Sequence, residues 1–193
     1  MVIVNHDQHQ DRTITNVFEW VWRAFLGTRP RKQLQFLRPN GGTLRIGTKA
    51  LTRIDKQLQI RQRDCEAGGV LLGRIIVERP DFVIDVVTEP TKRDKRTRTN
   101  FDRAEQPTQS RIFKAWKASS GERNYLGEWH THPENDPTPS QIDKNNWRRL
   151  ARTARFEQDV LFFVIAGLKR KRAWEVGRGG KVIAELRQLT SEP

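Results

Sequence analysis

The stretch Gly127-Glu-Trp-His-Thr-His-Pro-Glu-Asn-Asp-Pro-Thr-Pro-Ser-Gln-Ile-Asp143 collects potential metal ligands at a spacing that local chain geometry can explain. Residues 124–132 have the composition of a strand, and alternate side chains of a strand project from the same face. We therefore expect His130 and His132 to lie side by side, with both imidazoles directed at one point. Three prolines among the next seven residues exclude a helix, so the chain has to turn there.

Ser140 and Asp143 follow this turn with the spacing of a helix N-terminus, a serine cap three residues before an acidic residue. The helix dipole favours a carboxylate in the first turn, and the tight loop would return Asp143 to the two histidines. Two imidazole nitrogens and one carboxylate, with a fourth position left for water, are typical of a catalytic zinc site. Since Cys65 is the one cysteine in the chain, a structural zinc site rich in cysteine is excluded. The alternative, two surface histidines beside a loop, does not explain the register of Ser140 and Asp143.

Two segments together resemble the signature of the JAB/MPN metalloprotease family, the JAMM motif. One is the pattern His-x-His, seven residues, Ser-x-x-Asp of residues 130–143, and the other is Cys65-Glu-Ala-Gly-Gly-Val-Leu-Leu-Gly-Arg74. In that family a glutamate before a glycine-rich apolar strand serves as general base, so the resemblance implies this role for Glu66. Because neighbours on a strand face opposite sides, Cys65 should then point away from the metal and fill the core. The resemblance covers residues from about 61 to about 167.

The same resemblance implies how such a site works. Zn²⁺ is the implied cofactor, with His130, His132 and Asp143 as its ligands. Zinc would activate a water molecule at neutral pH, and Glu66 would carry a proton from that water to the leaving amine. Ser140 would donate a hydrogen bond to the oxyanion of the tetrahedral intermediate in addition to capping its helix.

Further residues resemble one branch of the family, the deconjugating peptidases of bacterial anti-phage cyclic-oligonucleotide (CBASS) operons. They are the Glu-x-Gly-Gly-x-Leu-Leu-Gly pattern, Thr88-Glu-Pro90 before a basic stretch with Arg98-Thr-Asn-Phe101, and the segment Tyr125-Leu-Gly-Glu-Trp-His-Thr-His-Pro-Glu134. This resemblance implies an isopeptidase. Its substrate would be a protein that carries a conjugated tail, the carboxy-terminus of a CD-NTase-type nucleotidyltransferase.

Two other functions stay open at this point. One is a peptidase of a bacterial ubiquitin-like conjugation operon. The other is a DNA-associated protein resembling the RadC family, whose His-x-His-Pro and Asp-Pro-x-Pro-Ser pattern is echoed by residues 130–140. The positive charge of the chain favours this second function, whereas Trp129 before the first histidine and the lack of a helix-hairpin-helix-like segment argue against it.

The chain is strongly basic, with 36 Lys and Arg against 23 Asp and Glu and a formal net charge of +13. Basic residues cluster at Lys92–Arg103, at residues 148–155 and at Lys169–Arg172, and together they would attract an acidic protein or a nucleic acid. No helix-turn-helix, Cys/His finger or RNA-binding signature accompanies the charge, so an acidic protein substrate explains it as well. The segment Thr88–Pro107 is long and basic, which makes it a candidate substrate-facing loop; a solvated surface segment is the alternative.

Length and hydropathy indicate a cytoplasmic protein. The sequence has no apolar run of about 18 or more residues that would span a membrane. Met1–Thr15 is polar and does not resemble a secretory signal, and a single cysteine fits a reducing compartment.

Hydrophobic periodicity predicts an α/β fold, a mixed sheet with helices on its faces, as in the JAB/MPN and cytidine-deaminase-like sandwiches. We expect two parts, an N-terminal extension (residues 1–30) with an amphipathic helix at Thr15–Leu26, and a JAB/MPN domain (residues 31–193). Within the domain, helices are predicted at Lys49–Ile60, at Gln109–Ala118 and from Ser140. Strands are predicted at Gln33–Leu37, Thr43–Ile46, Gly69–Val77, Phe82–Val87, Asn124–His132, Asp159–Gly167, Arg172–Val176 and Lys181–Leu186.

Overall fold

The computed structural model describes residues 33–189 of the chain. The predicted helix Thr15–Leu26 and the proposed extension, residues 1–30, lie outside the described residues, so that domain boundary stays a prediction. Within residues 33–189, no helix is long and apolar enough to cross a membrane.

The helices and strands of the described region fall close to where periodicity predicts them. The helix predicted to reach Ile60 ends at Asp55, and the predicted loop Thr88–Pro107 contains a short hairpin and the first turn of a helix. The elements are β1 (Leu34–Leu37), β2 (Thr43–Ile46), α1 (Thr48–Asp55), β3 (Gly68–Ile76), β4 (Asp81–Val87), β5 (Lys95–Arg96), β6 (Phe101–Asp102), α2 (Glu105–Ala118), β7 (Asn124–Thr131), α3 (Gln141–Thr153), β8 (Val160–Ala166), β9 (Lys171–Gly177) and β10 (Ile183–Leu189).

Eight strands close into a barrel with the order β1-β10-β9-β8-β7-β3-β4-β2, and β5 and β6 form a separate two-stranded sheet. The pairs β2/β4 and β7/β8 are parallel, and the other neighbouring pairs are antiparallel. The predicted sandwich, with helices on the faces of its sheet, is wrong, because β1 pairs with both β2 and β10 and the sheet closes on itself. Periodicity shows which face of a strand is buried but not which strand lies beside it, so pairing between distant segments leaves no local signal.

α1 and α3 each pack on the barrel strands through an apolar face. α1 contributes Ala50, Leu51 and Ile54 to one apolar cluster with residues of the barrel strands, while Lys49, Thr52 and Arg53 on its other side are exposed. α3 packs on β8 and β9, where Trp147 stacks on Phe163 with ring centroids 4.9 Å apart. Successive side chains of β8 alternate between the cluster that α1 joins and the cluster around Trp147 of α3. This confirms the prediction that the strand is buried on both faces.

A bulge in β7 decides which side chains of this strand enter the barrel. Gly127 has φ +143°, and a Cβ at this position would lie 1.8 Å from the carbonyl oxygen of Phe162 on β8, so only glycine fits. The pairing of β3 with β7 shifts register at the same place. Beyond the bulge, Trp129 and Thr131 are fully buried, and the two histidines that alternate with them face outward.

Candidate metal centre

The end of β7 presents two imidazoles on one face, as strand geometry predicts. The ring centroids of His130 and His132 are 4.9 Å apart, and their Nε2 atoms are 3.1 Å apart. Burial lowers the pKa of His130 to about 4, with Asp143 opposing the change and His132 adding to it. His130 is therefore neutral at pH 7, which is the form of histidine that binds metal ions.

Asp143 reaches the two histidines from the first turn of α3. Ser140 is the N-cap, and its hydroxyl accepts a hydrogen bond from Asp143 N at 3.1 Å, while Ser140 N donates to Asp143 Oδ2 at 2.7 Å. This reciprocal pair is the capping box that the sequence predicts, and it fixes the carboxylate. Asp143 Oδ1 lies 3.3 Å from His130 Nε2, and Asp143 Oδ2 lies 3.6 Å from His132 Nε2.

The proline-rich turn that returns Asp143 to the strand is held by the loop between β8 and β9. Leu168 N donates to Glu134 O at 2.7 Å, and Arg170 N donates to Asn135 O at 2.9 Å. A Cβ at Gly167 would lie 2.6 Å from both Glu134 O and Pro137 Cδ, so the two loops are in direct contact. The position of α3 relative to β7 is thus set by main-chain hydrogen bonds as well as by the packing of Trp147.

The spacing of these donors fits a tetrahedral zinc ion. Ligands placed about 2.0–2.1 Å from zinc in a tetrahedron are roughly 3.3 Å from one another. The two ring nitrogens are 3.1 Å apart, and the nearest Asp143 oxygen, a different one for each histidine, lies 3.3 Å from His130 and 3.6 Å from His132. Two imidazole nitrogens and a carboxylate are also a donor set that suits zinc and leaves one position open.

Glu66 lies at the same place, just before β3. Its carboxylate and the nearest ring nitrogens of His130 and His132 are all within 4.8 Å of one another. Burial raises the pKa of Glu66 from its ordinary value of 4.5 to about 8; Asp143 adds to the rise and Arg96 opposes it. A carboxyl group with a raised pKa close to metal donors has the properties of a general acid and base.

Two polar contacts lie behind the centre, one of them from Glu134, which the sequence places in the loop beside the site. Glu134 Oε1 lies 3.9 Å from His132 Nδ1, the ring nitrogen that faces away from the other donors. The hydroxyl of Thr131, between the two histidines, donates to Gln59 Oε1 at 3.0 Å and accepts from Ala67 N at 3.0 Å. Thr131 and Gln59 are both fully buried, and their bonds join the histidine strand to the chain beside Glu66. Gln59 carried no signal because it lies in a polar stretch after α1.

The structure thus brings together the five residues singled out from the sequence. One related expectation was wrong, since Cys65 is exposed and does not fill the core. The expectation assumed a strand at this position, but β3 begins only at Gly68, so the alternation of faces does not apply to residues 65 and 66.

Comparison with known proteins gives consistent matches. The family model for prokaryotic homologs of the JAB domain matches residues 49–177. The chain is 36% identical over 126 residues to a CD-NTase/cGAS isopeptidase of Pseudomonas aeruginosa (strain BWHPSA011 / Pa011), which covers 65% of this chain and 78% of that protein. It is 39% identical over 141 residues to a CD-NTase/cGAS isopeptidase of Vibrio cholerae serotype O1, which covers 73% of this chain and 85% of that protein.

The fold is also similar to a solved structure, that of protein DSY2949 from Desulfitobacterium hafniense. The TM-score is 0.52 at 21% identity, and the match covers 77% of this chain and 92% of that one. The family model spans well over half of the chain and includes the whole of the candidate metal centre. The chain therefore belongs to the prokaryotic family of JAB-domain proteins.

Proposed function

We propose that this protein is a zinc-dependent isopeptidase that removes a conjugated protein from its targets in bacterial anti-phage defence. The observation that carries the proposal is the convergence of His130, His132 and Asp143 with the buried carboxyl group of Glu66. The name of the relatives, CD-NTase/cGAS isopeptidase, supports a CD-NTase as the conjugated protein. The resemblance to the CBASS peptidases implies that it is joined to its target through its carboxy-terminus.

The residues divide the chemistry of amide hydrolysis between them. When bound, zinc supplies a Lewis acid that activates water and polarises the scissile carbonyl, and its charge favours the ionised form of nearby carboxyl groups. His130 and His132 contribute neutral nitrogen donors, and Asp143 contributes a carboxylate held by the capping box. Glu66 takes a proton from the attacking water and gives it to the leaving amine, which is a lysine side chain in an isopeptide substrate.

The proposed role of Ser140 is to stabilise the oxyanion, and its hydroxyl proton has another partner in this structure. Ser140 Oγ donates to Asp143 Oδ2 at 2.6 Å. To donate to an oxyanion, the hydroxyl has to rotate away from that carboxylate, while its bond from Asp143 N can persist. If Asp143 holds the metal ion, its carboxylate would accept less strongly from Ser140, and the hydroxyl would rotate more easily.

The proposal is tested with a defined isopeptide. The carboxy-terminal tail of a CD-NTase is joined through an isopeptide bond to a lysine of a fluorescent reporter, and the zinc-loaded protein is incubated with it. We expect release of the unmodified lysine side chain and an intact tail, measured by mass spectrometry, and loss of this activity in Glu66→Ala. A parallel probe carries a ubiquitin-type tail. Cleavage of that probe alone would contradict the substrate class, and cleavage of neither would contradict the peptidase assignment.

A further inference from the structure

The basic segment between β4 and α2 folds as a hairpin against the chain that carries Glu66. Strands β5 and β6 pair, and Thr97 N donates to Asn100 O at 2.9 Å to close the turn between them. Glu66 N donates to Thr97 O at 2.7 Å, so the hairpin accepts the main-chain hydrogen bond of the proposed base. The segment Thr88–Pro107, expected to be either a substrate-facing loop or a solvated surface, thus packs on the site.

Arg96 of β5 binds the same piece of main chain from the other side. Its Nε donates to Glu66 O at 2.7 Å, and its Nη2 donates to Cys65 O at 3.2 Å. Because β3 begins only at Gly68, residues 65 and 66 have no strand partner among residues 33–189. The N–H and the carbonyl group of Glu66 are therefore both bound by the hairpin.

Two further contacts link the hairpin to the histidine strand. The ring of Phe101 packs against Gly68, where a Cβ would come within 2.6 Å of Phe101 Cδ1. Gln59 Nε2 donates to Arg98 O at 2.7 Å, and Gln59 Oε1 accepts from Thr131 at 3.0 Å. The hairpin is thus connected both to Glu66 and, through buried Gln59, to the strand that ends in the metal donors.

We infer that Arg96 is a positioning residue that holds the main chain at Glu66 and so directs its carboxylate at the metal donors. The inference rests on the proposed function. A guanidinium that donates to two successive main-chain carbonyls fixes orientation as well as position, and a charged donor makes each bond stronger than a neutral one. Small displacements of a group that transfers protons cost large factors in rate, so support of this kind acts on turnover and not on substrate affinity.

The same segment offers a matched control for the loss of charge. Arg93 is exposed, and within the described residues its side chain has neither a hydrogen bond nor a carboxylate partner. Replacing Arg93 or Arg96 by methionine removes one positive charge from the same segment and keeps much of the side-chain length. If the two arginines attract an acidic substrate, both variants should show similar changes in kcat and KM. If Arg96 positions Glu66, only the Arg96 variant should lose kcat.

The test measures kcat and KM of the zinc-loaded variants on the isopeptide probe, at low salt and in 0.5 M NaCl. We expect Arg96→Met to lower kcat about 10- to 100-fold with zinc content and KM nearly unchanged, Arg93→Met to keep kcat, and Arg96→Lys to recover part of the loss. Full kcat in Arg96→Met, or an equal loss in Arg93→Met, would overturn the inference.

A second readout does not depend on activity and separates this inference from the proposed function. Amide hydrogen exchange of Glu66, measured by NMR, should be at least about tenfold faster in Arg96→Met than in Arg93→Met, because the hairpin that accepts from this N–H is released. Unchanged protection of the Glu66 amide would refute the positioning role of Arg96, even if the enzyme assay fails for another reason. Should Arg96→Met not fold, Arg96→Lys carries the same comparison, with a smaller effect expected on the exchange rate and on kcat.

Discussion

Replacing Glu66 by glutamine should make the metal-free protein more stable while it abolishes catalysis. Glutamine keeps the shape of the side chain and removes its titration. In the folded, metal-free chain, burial and the nearby Asp143 raise the pKa of Glu66 from 4.5 to about 8. The buried carboxyl group therefore suits proton transfer and opposes folding, which is the conflict expected at a catalytic position.

The sign and size of the effect follow from proton linkage. Below pH 4.5 the carboxyl group is protonated in both folded and unfolded chains and does not alter stability. Between pH 4.5 and 8 the unfolded chain ionises while the folded chain keeps its proton, so the free energy of unfolding falls by about 1.4 kcal/mol for each pH unit, roughly 5 kcal/mol in all. Screening by water on the open side of the site reduces this, and we expect about 2–3 kcal/mol in favour of Glu66→Gln at pH 8.

Urea unfolding in the presence of a chelator, at pH 5 and pH 8, measures this difference. The lowered pKa of His130 makes the free energy of unfolding depend on pH in both proteins. This contribution cancels when the two proteins are compared. Glu157→Gln, at an exposed glutamate, is the matched control. Its free energy of unfolding should differ from that of the wild type by the same amount at both pH values. A stability gap between wild type and Glu66→Gln that is the same at both pH values would refute the reasoning.

Other substitutions test the remaining parts of the centre. His132→Ala should reduce bound zinc from about one per chain to well below that, measured by elemental analysis; full retention would contradict the ligand assignment. Ser140→Ala should lower the free energy of unfolding by about 1 kcal/mol through loss of the cap and should reduce kcat more than KM, whereas unchanged kcat would leave Ser140 a cap alone. Gly127→Ala should destabilise the protein by roughly 3 kcal/mol or more in urea unfolding, because its Cβ would collide with Phe162 O; a stable, active variant would show that the bulge is dispensable.

Much of the centre could be predicted because its information is local. The alternation of His130 and His132 follows from strand geometry, and the place of Asp143 follows from a cap three residues earlier. The role of Glu66 could not be worked out in this way, since a lone glutamate far from the motif has no local signal and only the resemblance to a family pointed to it. Arg96 was visible merely as one charge in a basic cluster, and its inward orientation depends on the hairpin.

The closure of the barrel marks the limit of sequence reasoning about the fold. Each barrel strand was predicted from its own pattern, but the pairing of β1 with β10 and the packing of α1 in one cluster with the barrel strands both depend on contacts between distant segments. The bulge at Gly127 is a similar case. Its glycine is required by the carbonyl of a strand that follows more than thirty residues later, and this contact exists only in the folded chain.

Barrel closure also has a consequence for how the protein is made. Gln35 pairs with Leu189, so a ribosome must release nearly the whole described chain before the first strand can meet the last. The donors on β7 and α3 leave the ribosome earlier, and during that interval β1 and β9 each lack one neighbour. Unpaired strand edges favour association between chains, so the yield of soluble protein should depend on how fast the residues of β10 follow β9.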